Sequence, residues 1–278
     1  MDFLEVVGTR RSIRWFRPWQ QVEQDKLQRI LETARLTSCP GNMQPWRALV
    51  LRQSELEAER RRALCAANNF QRAQELAPVW IYWYADPDAL APQSLLERVR
   101  ELLPTGAIPA AFGWSEDVAR ASVERGDPAP SGLPALEELS FGLPVELRAV
   151  VAAQETNGAV TVAALAAVNE GLGTCLHMIA APSRQNEVKE LLGVPAHMVP
   201  VWLQLVGYPA ESADAGGQRP RAPFEQLFWA GAWGRPFPRE SGVVQELERR
   251  RLLQAPAPQP GRDEELEGLA RMFGYGPD

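Results

Sequence analysis

The fold is constrained most strongly by residues 79–84, six consecutive β-branched or aromatic residues with the sequence Val-Trp-Ile-Tyr-Trp-Tyr. A run of this length and composition is typical of a strand that is buried on both faces. A second strong strand is predicted over residues 199–207, and shorter ones over 48–51 and 174–178. Because helical patterns separate these strands, the sequence predicts a few strands packed among helices.

Three features predict helices near the N-terminus. Asp2 can cap a first helix, which Gly8 would end. A second helix begins near residue 22, where apolar residues recur at i, i+3, i+4 and i+7: Leu27, Ile30, Leu31 and Ala34. Ser54 and Glu57 have the spacing of a capping box and predict the start of a third helix.

The next long helix is predicted to begin at Asn157, which can act as its cap, and to continue through Val168. Its residues are apolar on nearly every face, so we expect it to be buried on all sides. In a chain of this size, such burial indicates a subunit interface.

Residues 86–144 contain eight prolines and break the regular pattern, with short helical segments over 95–103 and 114–124. We interpret the chain as a single domain over residues 1–278, with a Pro-rich insertion at about 86–156 and a C-terminal extension at about 224–278. The insertion either forms a lid or covers a small satellite core. The extension is too aromatic for a free tail.

Composition excludes several classes of protein. The 278 residues carry 29 basic and 35 acidic side chains, and this acidic balance argues against nucleic acid as the main partner. Three cysteines without a CxxC pair and only two histidines argue against a metal site. The N-terminus does not resemble a signal peptide, and the longest apolar run is half of the roughly 20 residues that cross a membrane. We therefore expect a soluble, cytoplasmic protein that uses no metal.

Residues 10–14, Arg-Arg-Ser-Ile-Arg, lie between the first two predicted helices. Guanidinium groups bind phosphate oxygens through paired hydrogen bonds, and a serine hydroxyl adds a short donor. The segment is either a phosphate site or a solvated run of charge. No GxGxxG, P-loop or GxSxG pattern accompanies it, which argues against Rossmann, NTPase and common hydrolase sites.

Four motifs in order resemble the FMN-dependent nitroreductase family. They are RRSIR at 10–14, NMQPW at 42–46, GLGT at 171–174, and the strand and turn at 200–209 followed by RPR at 219–221. Together they span residues 1 to about 225. The resemblance implies an α+β fold with a mixed sheet flanked by helices, and an intertwined homodimer that binds FMN at the subunit interface.

The resemblance also implies site residues. The FMN phosphate would be held by Arg10, Arg11, Ser12 and Arg221, with Arg219 in support. The flavin ring would be approached by Arg14 at its pyrimidine edge and lined by Ser38, Asn42 and Gln44. An amide from Asn68 or Asn69 would reach the pyrimidine, and Asn69 is taken as the candidate. The family often has Pro-Ser where this chain has Ser38-Cys39, so that Cys39 is either a redox-active thiol or an inert side chain. The family also often has an asparagine at the position that Val162 occupies in this chain.

In the family, a backbone N–H after the Gly-Leu-Gly segment donates to flavin N5, and counting forward identifies it as that of Met178. His177 beside it is either a general acid or a structural histidine. The insertion contributes Phe112, Trp114 and Phe141, either as a stacking wall for a planar acceptor or as core residues. Pro-flanked His197 is expected to face solvent.

The expected function is oxidation of NAD(P)H and two-electron reduction of a nitroaromatic, quinone or similar planar acceptor, in ping-pong order. Three alternatives remain open at this point. One is the same fold with other flavin chemistry, namely dehydrogenation, reductive dehalogenation or flavin cleavage. The others are a non-enzymatic FMN-binding protein and a module that binds an apolar ligand without flavin.

Overall fold

A computed structural model describes residues 1–107, 113, 115–125, 127 and 145–276. Within these residues the chain forms four strands: β1 (Trp46–Arg52), β2 (Val79–Ala85), β3 (Gly173–His177) and β4 (Val199–Gly207). The helices there are α1 (Phe3–Thr9), α2 (Gln24–Arg35), α3 (Ala58–Ala67), α4 (Arg72–Leu76), α5 (Pro92–Leu102), α6 (Glu116–Arg125), α7 (Val145–Asn169), α8 (Gln185–Leu192), α9 (Ser241–Arg249) and α10 (Arg262–Phe273).

The four strands form one sheet in the order β1-β2-β4-β3. Each neighbouring pair is antiparallel. The predicted α+β fold is confirmed, while parallel pairing occurs in the described residues as the isolated bridges Ser12–Thr174 and Gln218–Pro256. The mixed character that we expected of the sheet is therefore limited, within this chain, to those bridges.

Strand β2 lies in the middle of the molecule, and all seven of its residues are buried. Because side chains alternate across a strand, Trp80, Tyr82 and Tyr84 face one side of the sheet, where α3, α4 and α8 pack. The remaining large side chains of β2 face α2 and α7 on the other side. The two faces explain why the sequence shows a continuous apolar run here rather than an alternating one.

Several predicted elements are confirmed. Strand β2 extends the predicted run by one residue, and β4 has the predicted bounds. Asp2 caps α1, since its carboxylate accepts a 2.9 Å hydrogen bond from the Leu4 N–H. Residues Leu27, Ile30 and Ala34 of α2 are buried as their spacing predicts.

Two predicted helix starts are wrong. Asn157 lies inside α7, which begins at Val145, and its Oδ1 accepts a 2.8 Å hydrogen bond from Trp202 Nε1 instead of capping the helix. Ser54 lies in a short 3₁₀ turn, and Glu57 itself is the N-cap of α3, without a side-chain cap bond. In both cases a tertiary contact takes the side chain that the motif assigns to capping, since Ser54 Oγ donates a 3.4 Å hydrogen bond to Gln21 Oε1.

Helix α7 packs against α2 and the sheet through its small residues. Its outer face, with Val162 and Leu165, is only half-buried and lies beside the exposed Met1 and Phe3. The expectation of burial on all sides is thus not met within one chain. No helix among the described residues has the length and apolarity required to cross a membrane.

Beyond β4 the chain forms an extension that contains α9, which the sequence pattern did not predict, and α10. Residues 224–240 are mostly exposed, and Trp233 shows 86% of its surface to solvent. The rings of Trp233 and Trp229 are in contact with their centroids 4.0 Å apart and their planes tilted by 32°, and Phe224 contacts Phe228 at 4.7 Å. Residues 224–240 of the extension therefore form an aromatic segment on the surface of the chain.

Candidate functional site: a cationic cluster beside the edge of the sheet

The segment that carries Arg10, Arg11 and Ser12 runs beside the outer edge of β3. Ser12 forms a parallel bridge with Thr174, and the Ile13 N–H donates a 3.0 Å hydrogen bond to the Thr174 carbonyl. This approach requires glycine at residue 173, where a Cβ would lie 2.9–3.0 Å from the Ile13 side chain. The RRSIR and GLGT motifs, which are about 160 residues apart in sequence, therefore form one local structure.

The buried carboxylate of Glu211 fixes the next residues. Its Oε1 accepts hydrogen bonds from the backbone N–H groups of Arg14 (2.5 Å) and Trp15 (3.0 Å). Its Oε2 pairs with Arg262 of α10. Because both oxygens have partners, this part of the backbone is held by a satisfied buried ion pair. Arg14 itself is exposed and projects from a fixed segment.

Arg11 is buried, and its guanidinium donates four hydrogen bonds to protein acceptors. Three go to the carbonyls of Gly8, Arg10 and Asp214, at 2.7–3.2 Å. The fourth goes to Gln254 Oε1 at 3.0 Å. Since a guanidinium has five N–H donors, at most one remains for a ligand.

Arg10, Arg219 and Arg221 complete a cationic cluster around Arg11. Burial, together with the neighbouring Arg221, lowers the pKa of Arg10. Burial also lowers the pKa of Arg11, Asp214 partly offsets this, and the other three guanidinium groups lower it further. The structure therefore brings together the four arginines that the sequence places at residues 10–11 and 219–221.

Besides burial, the neighbouring guanidinium groups lower the pKa of Arg10 and Arg11, so these like charges repel one another within the cluster. A dianion such as a phosphate monoester would reverse this repulsion and accept several charge-assisted hydrogen bonds. Ser12 borders the cluster through its place in the same segment. The donor set therefore fits the phosphate of a mononucleotide.

A second polar region lies where β3 ends. Arg14 and His177 line one side of a cavity of about 390 Å³, whose other walls are Trp15, Phe70, Gln71, Arg72, Ala73 and Tyr275. His177 Nε2 is buried, and no group in the described part of the chain forms a hydrogen bond with it. Burial and the nearby Arg14 lower the pKa of His177, which favours the neutral imidazole at neutral pH.

Met178 follows β3 and is 59% exposed. The Thr174 carbonyl accepts its hydrogen bond from Ile13, so the backbone groups of Thr174 point to the outer edge of the sheet, away from β4. Backbone groups point to the same edge at every second residue of a strand, which here means Leu176 and then Met178. The Met178 N–H is therefore expected to point toward the cavity edge rather than into the sheet.

Asn68 and Asn69 differ in their exposure and in their hydrogen bonds. Asn68 is buried, and its Nδ2 donates a 3.1 Å hydrogen bond to Gln74 Oε1. Asn69 is exposed, has a left-handed φ of 54°, and immediately precedes Phe70 of the cavity wall. Of the two amides, that of Asn69 is available to a ligand.

Ser38, Asn42 and Gln44 lie in the loop between α2 and β1. Gln44 donates a 3.0 Å hydrogen bond to Asn42 Oδ1, and both residues have positive φ values of 46° and 55°. Such backbone strain is often found at ligand sites. Cys39 Sγ accepts a hydrogen bond from the Gln44 N–H, and burial raises its pKa, which favours an inert thiol over a reactive thiolate.

This loop is far from the β3 edge within one chain. Trp46 at the start of β1 aligns with Ala85 and then Val199, whereas His177 aligns with Leu203. Three strand spacings across the sheet and four residues along it separate Trp46 from His177 by about 20 Å. One chain therefore does not bring the loop and the cationic cluster together.

The predicted stacking residues Phe112, Trp114 and Phe141 lie outside the described residues. Among the described residues, one group of potential metal ligands is Asp86, Asp88 and His197, whose ligand atoms lie within 4.8 Å of one another. Asp86 forms a 2.7 Å ion pair with Arg47. His197 is exposed, as expected.

Residues 7–208 match the sequence model of the Nitroreductase family. The chain belongs to the nitroreductase family. This match covers most of the chain and includes three of the four motifs found in the sequence. The nitroreductase assignment by motif is thus confirmed; of the fourth motif, the strand at 200–207 lies within the match and RPR at 219–221 lies beyond it.

Individual proteins extend the comparison. A curated NADH dehydrogenase of Thermus thermophilus is 29% identical over 228 residues, which are 82% of this chain and 95% of that protein. A protein of Exiguobacterium sibiricum, assigned as a nitroreductase and solved in complex with FMN, has a TM-score of 0.62 at 23% identity, over 80% of this chain and 94% of its own. A Staphylococcus epidermidis protein assigned as an NAD(P)H:FMN oxidoreductase has a TM-score of 0.60 at 16% identity, over 82% and 94% of the two chains. These solved structures support the nitroreductase fold.

Sequence reasoning missed several residues around this candidate site. Glu211 fixes the backbone of Arg14, Gln254 binds Arg11, and Tyr275 closes one wall of the cavity. All three lie outside the matched residues 7–208. No local motif marks them, because each acts through a contact with a residue almost 200 or more positions away.

Proposed function

We propose that this protein is an FMN-dependent oxidoreductase that uses NAD(P)H to reduce planar acceptors such as nitroaromatics or quinones. The observation that carries the proposal is the cluster of four arginines from residues 10–11 and 219–221, next to the cavity at the end of β3. A cationic cluster for a phosphate and an adjacent polar, aromatic-walled cavity for a ring are the two parts that a flavin mononucleotide requires.

The phosphate would bind Arg10, Ser12, Arg219 and Arg221, and Arg11 would contribute its buried charge and its remaining N–H. Arg14 would lie at the pyrimidine edge of the ring, where a cation favours the anionic reduced form. Asn69 would reach the same edge with its amide. The side chains of Arg14, Asn69, Arg219 and Arg221 are exposed, as their roles require.

When bound, FMN supplies the hydride chemistry, accepting two electrons from NAD(P)H and passing them to the acceptor in ping-pong order. The Met178 N–H would donate a hydrogen bond to flavin N5. His177, neutral and without a hydrogen-bond partner in the described residues, would supply or accept a proton at the ring edge. The predicted stacking wall of Phe112, Trp114 and Phe141 remains a prediction, which kinetics of a Trp114→Ala variant with several acceptors would test.

We further propose that the active form is a homodimer with FMN at the subunit interface. Trp46, which follows the loop of Ser38, Asn42 and Gln44, lies about 20 Å from His177 of its own chain. The loop of a second copy would therefore complete the ring site. The half-buried outer face of α7 and the exposed aromatic rings of residues 224–240 are apolar surfaces that such a dimer would cover. Apolar surfaces of this kind are typical of interfaces.

Similar proteins support the cofactor and the donor. The Exiguobacterium protein was solved with FMN, and the names of the Staphylococcus and Thermus proteins indicate NAD(P)H and NADH as reductants. These names concern those proteins and make NAD(P)H the first donor to test here.

The test is an absorption spectrum of the purified protein, repeated after anaerobic addition of NADH or NADPH, followed by a nitroaromatic or a quinone. The proposal predicts a yellow protein that bleaches with the nucleotide and recovers its colour with the acceptor. A yellow protein that does not bleach would be a flavin-binding protein without this activity. A colourless protein that takes up no FMN would refute the proposal.

A further inference from the structure

Residues 250–257 connect the two cationic segments. On one side, the Arg251 carbonyl lies so close to Gly8 that a Cβ there would be 2.0 Å away. On the other side, residue 218, immediately before Arg219, forms a parallel bridge with Pro256. This stretch of the C-terminal extension therefore lies between the segments that carry Arg10–Arg11 and Arg219–Arg221.

Gln254 makes contacts on the first side through both ends of its amide. Its Oε1 accepts the 3.0 Å hydrogen bond from Arg11 Nη2. Its Nε2 donates to the carbonyls of Gly8, at 2.9 Å, and Arg251, at 2.6 Å. One side chain thus binds both the buried guanidinium and the C-terminal end of α1.

Gln254 also contacts the second side through Gln218. The Gln254 N–H donates a 3.1 Å hydrogen bond to Gln218 Oε1, and Gln218 Nε2 donates to the Leu252 carbonyl at 2.9 Å. The Ala257 N–H donates to the Gln218 carbonyl at 2.8 Å. A chain of two glutamine side chains therefore links Arg11 to the residue that precedes Arg219.

We propose that Gln254 is a positioning residue of the phosphate site, which holds the two arginine segments at the separation that a phosphate monoester needs. The inference rests on the proposed function, because it assigns to Gln254 the geometry of the site that would hold the FMN phosphate. Gln254 does not itself belong to the cationic set and acts through Arg11 and Gln218.

The chemistry of the side chain supports this role. The charges of Arg10, Arg219 and Arg221 oppose that of Arg11, so a link between the two segments opposes their separation. A neutral amide provides an acceptor for Arg11 and donors for carbonyls without reducing the positive charge of the cluster. A carboxylate at this position would lose the donors and add a negative charge that opposes phosphate binding.

The experiment compares FMN with riboflavin, which has the same ring and no phosphate. Dissociation constants of both are measured by titration calorimetry on cofactor-free wild type, Gln254→Ala and Gln254→Glu. Gln254→Ala is expected to weaken FMN binding about tenfold, and Gln254→Glu by more, while riboflavin binding changes less than twofold. Gln245→Ala, at an exposed position of α9 in the same extension, is the control and should leave both constants unchanged.

Unchanged FMN affinity in both Gln254 variants would overturn the inference, and so would an equal loss for FMN and riboflavin, because that result indicates a general structural role. If Gln254→Ala does not fold, Gln218→Ala breaks the other half of the link and must show the same loss confined to FMN. A wild-type protein that binds neither flavin would refute the proposed function itself, which separates the two failures.

Discussion

Replacing Gly8 by alanine tests how tightly the C-terminal extension is bound to the N-terminal helix. Gly8 lies in α1, where alanine is favoured over glycine by about 1 kcal/mol on helix propensity alone. A Cβ at this position would lie 2.0 Å from the Arg251 carbonyl oxygen and 2.6 Å from Leu252 Cα. These are backbone atoms, so no side-chain rotation can relieve the contact.

The extension would have to move by more than about 1 Å, since a Cβ needs roughly 3.0–3.4 Å from such atoms. Overpacking of this kind costs about 1–3 kcal/mol. Two hydrogen bonds that depend on the contact, from Gln254 to Gly8 and from Arg11 to Gln254, contribute about 1 kcal/mol each. After subtracting the propensity gain, we expect Gly8→Ala to lower the free energy of unfolding by about 2–4 kcal/mol.

Urea unfolding of the cofactor-free protein measures this change. The matched control is Gly268→Ala in α10, where a Cβ would meet nothing within 4 Å, so that only the propensity gain remains and the variant should be more stable. If Gly8→Ala were as stable as wild type, or more stable, the extension would not be docked against α1 and the reasoning would be refuted.

Three further changes test the site. Arg10→Gln should weaken FMN binding about 10- to 100-fold and slightly raise the stability of the cofactor-free protein, because it removes a desolvated cation that other guanidinium groups repel. The exposed Arg249→Gln should change neither quantity. A loss of both FMN affinity and stability in Arg10→Gln would contradict the account. Because the folded-state pKa of His177 is lowered, the unfolded chain binds its proton first as the pH falls below about 6.5, so that stability decreases with falling pH by up to about 1.4 kcal/mol per unit. Urea unfolding at several pH values should show this slope in wild type and in His197→Asn and lose it in His177→Asn. A raised pKa makes the Cys39 thiol unreactive, so an aromatic disulfide reagent should modify it at least about tenfold more slowly in the native protein than in urea; rapid native reaction would indicate a redox-active thiol.

The sequence predicted the helices and strands that are determined by residues close to one another in the chain. Strands β2 and β4 follow from uninterrupted apolar runs, and the start of α1 follows from the cap of Asp2. Asn157 fails as a helix start because an asparagine in mid-helix can serve a distant partner, here Trp202. Helix α9 carries Val243, Val244 and Leu247 but has no buried residue, and its short amphipathic pattern was missed in the sequence.

The residues of the candidate site also divide into those that sequence motifs identify and those that they do not. The arginines at 10–11 and 219–221 belong to motifs, and their proximity could be inferred from the family they resemble. Gln254 and Glu211 belong to no motif, because their roles depend on contacts with residues about 200 or more positions away. Asn68 and Asn69 are distinguished by their burial and by the hydrogen bond from Asn68 to Gln74, neither of which the sequence specifies.

The central claim is that cations from two distant segments bind the phosphate of one mononucleotide. Its most direct test is the affinity of the cofactor-free wild-type protein for FMN and for riboflavin at the same ionic strength. Several charge-assisted contacts to the phosphate predict that FMN binds at least about 100-fold more tightly, with the difference decreasing as salt is added. Equal affinities for the two flavins would mean that the arginine cluster binds no phosphate and would contradict the claim.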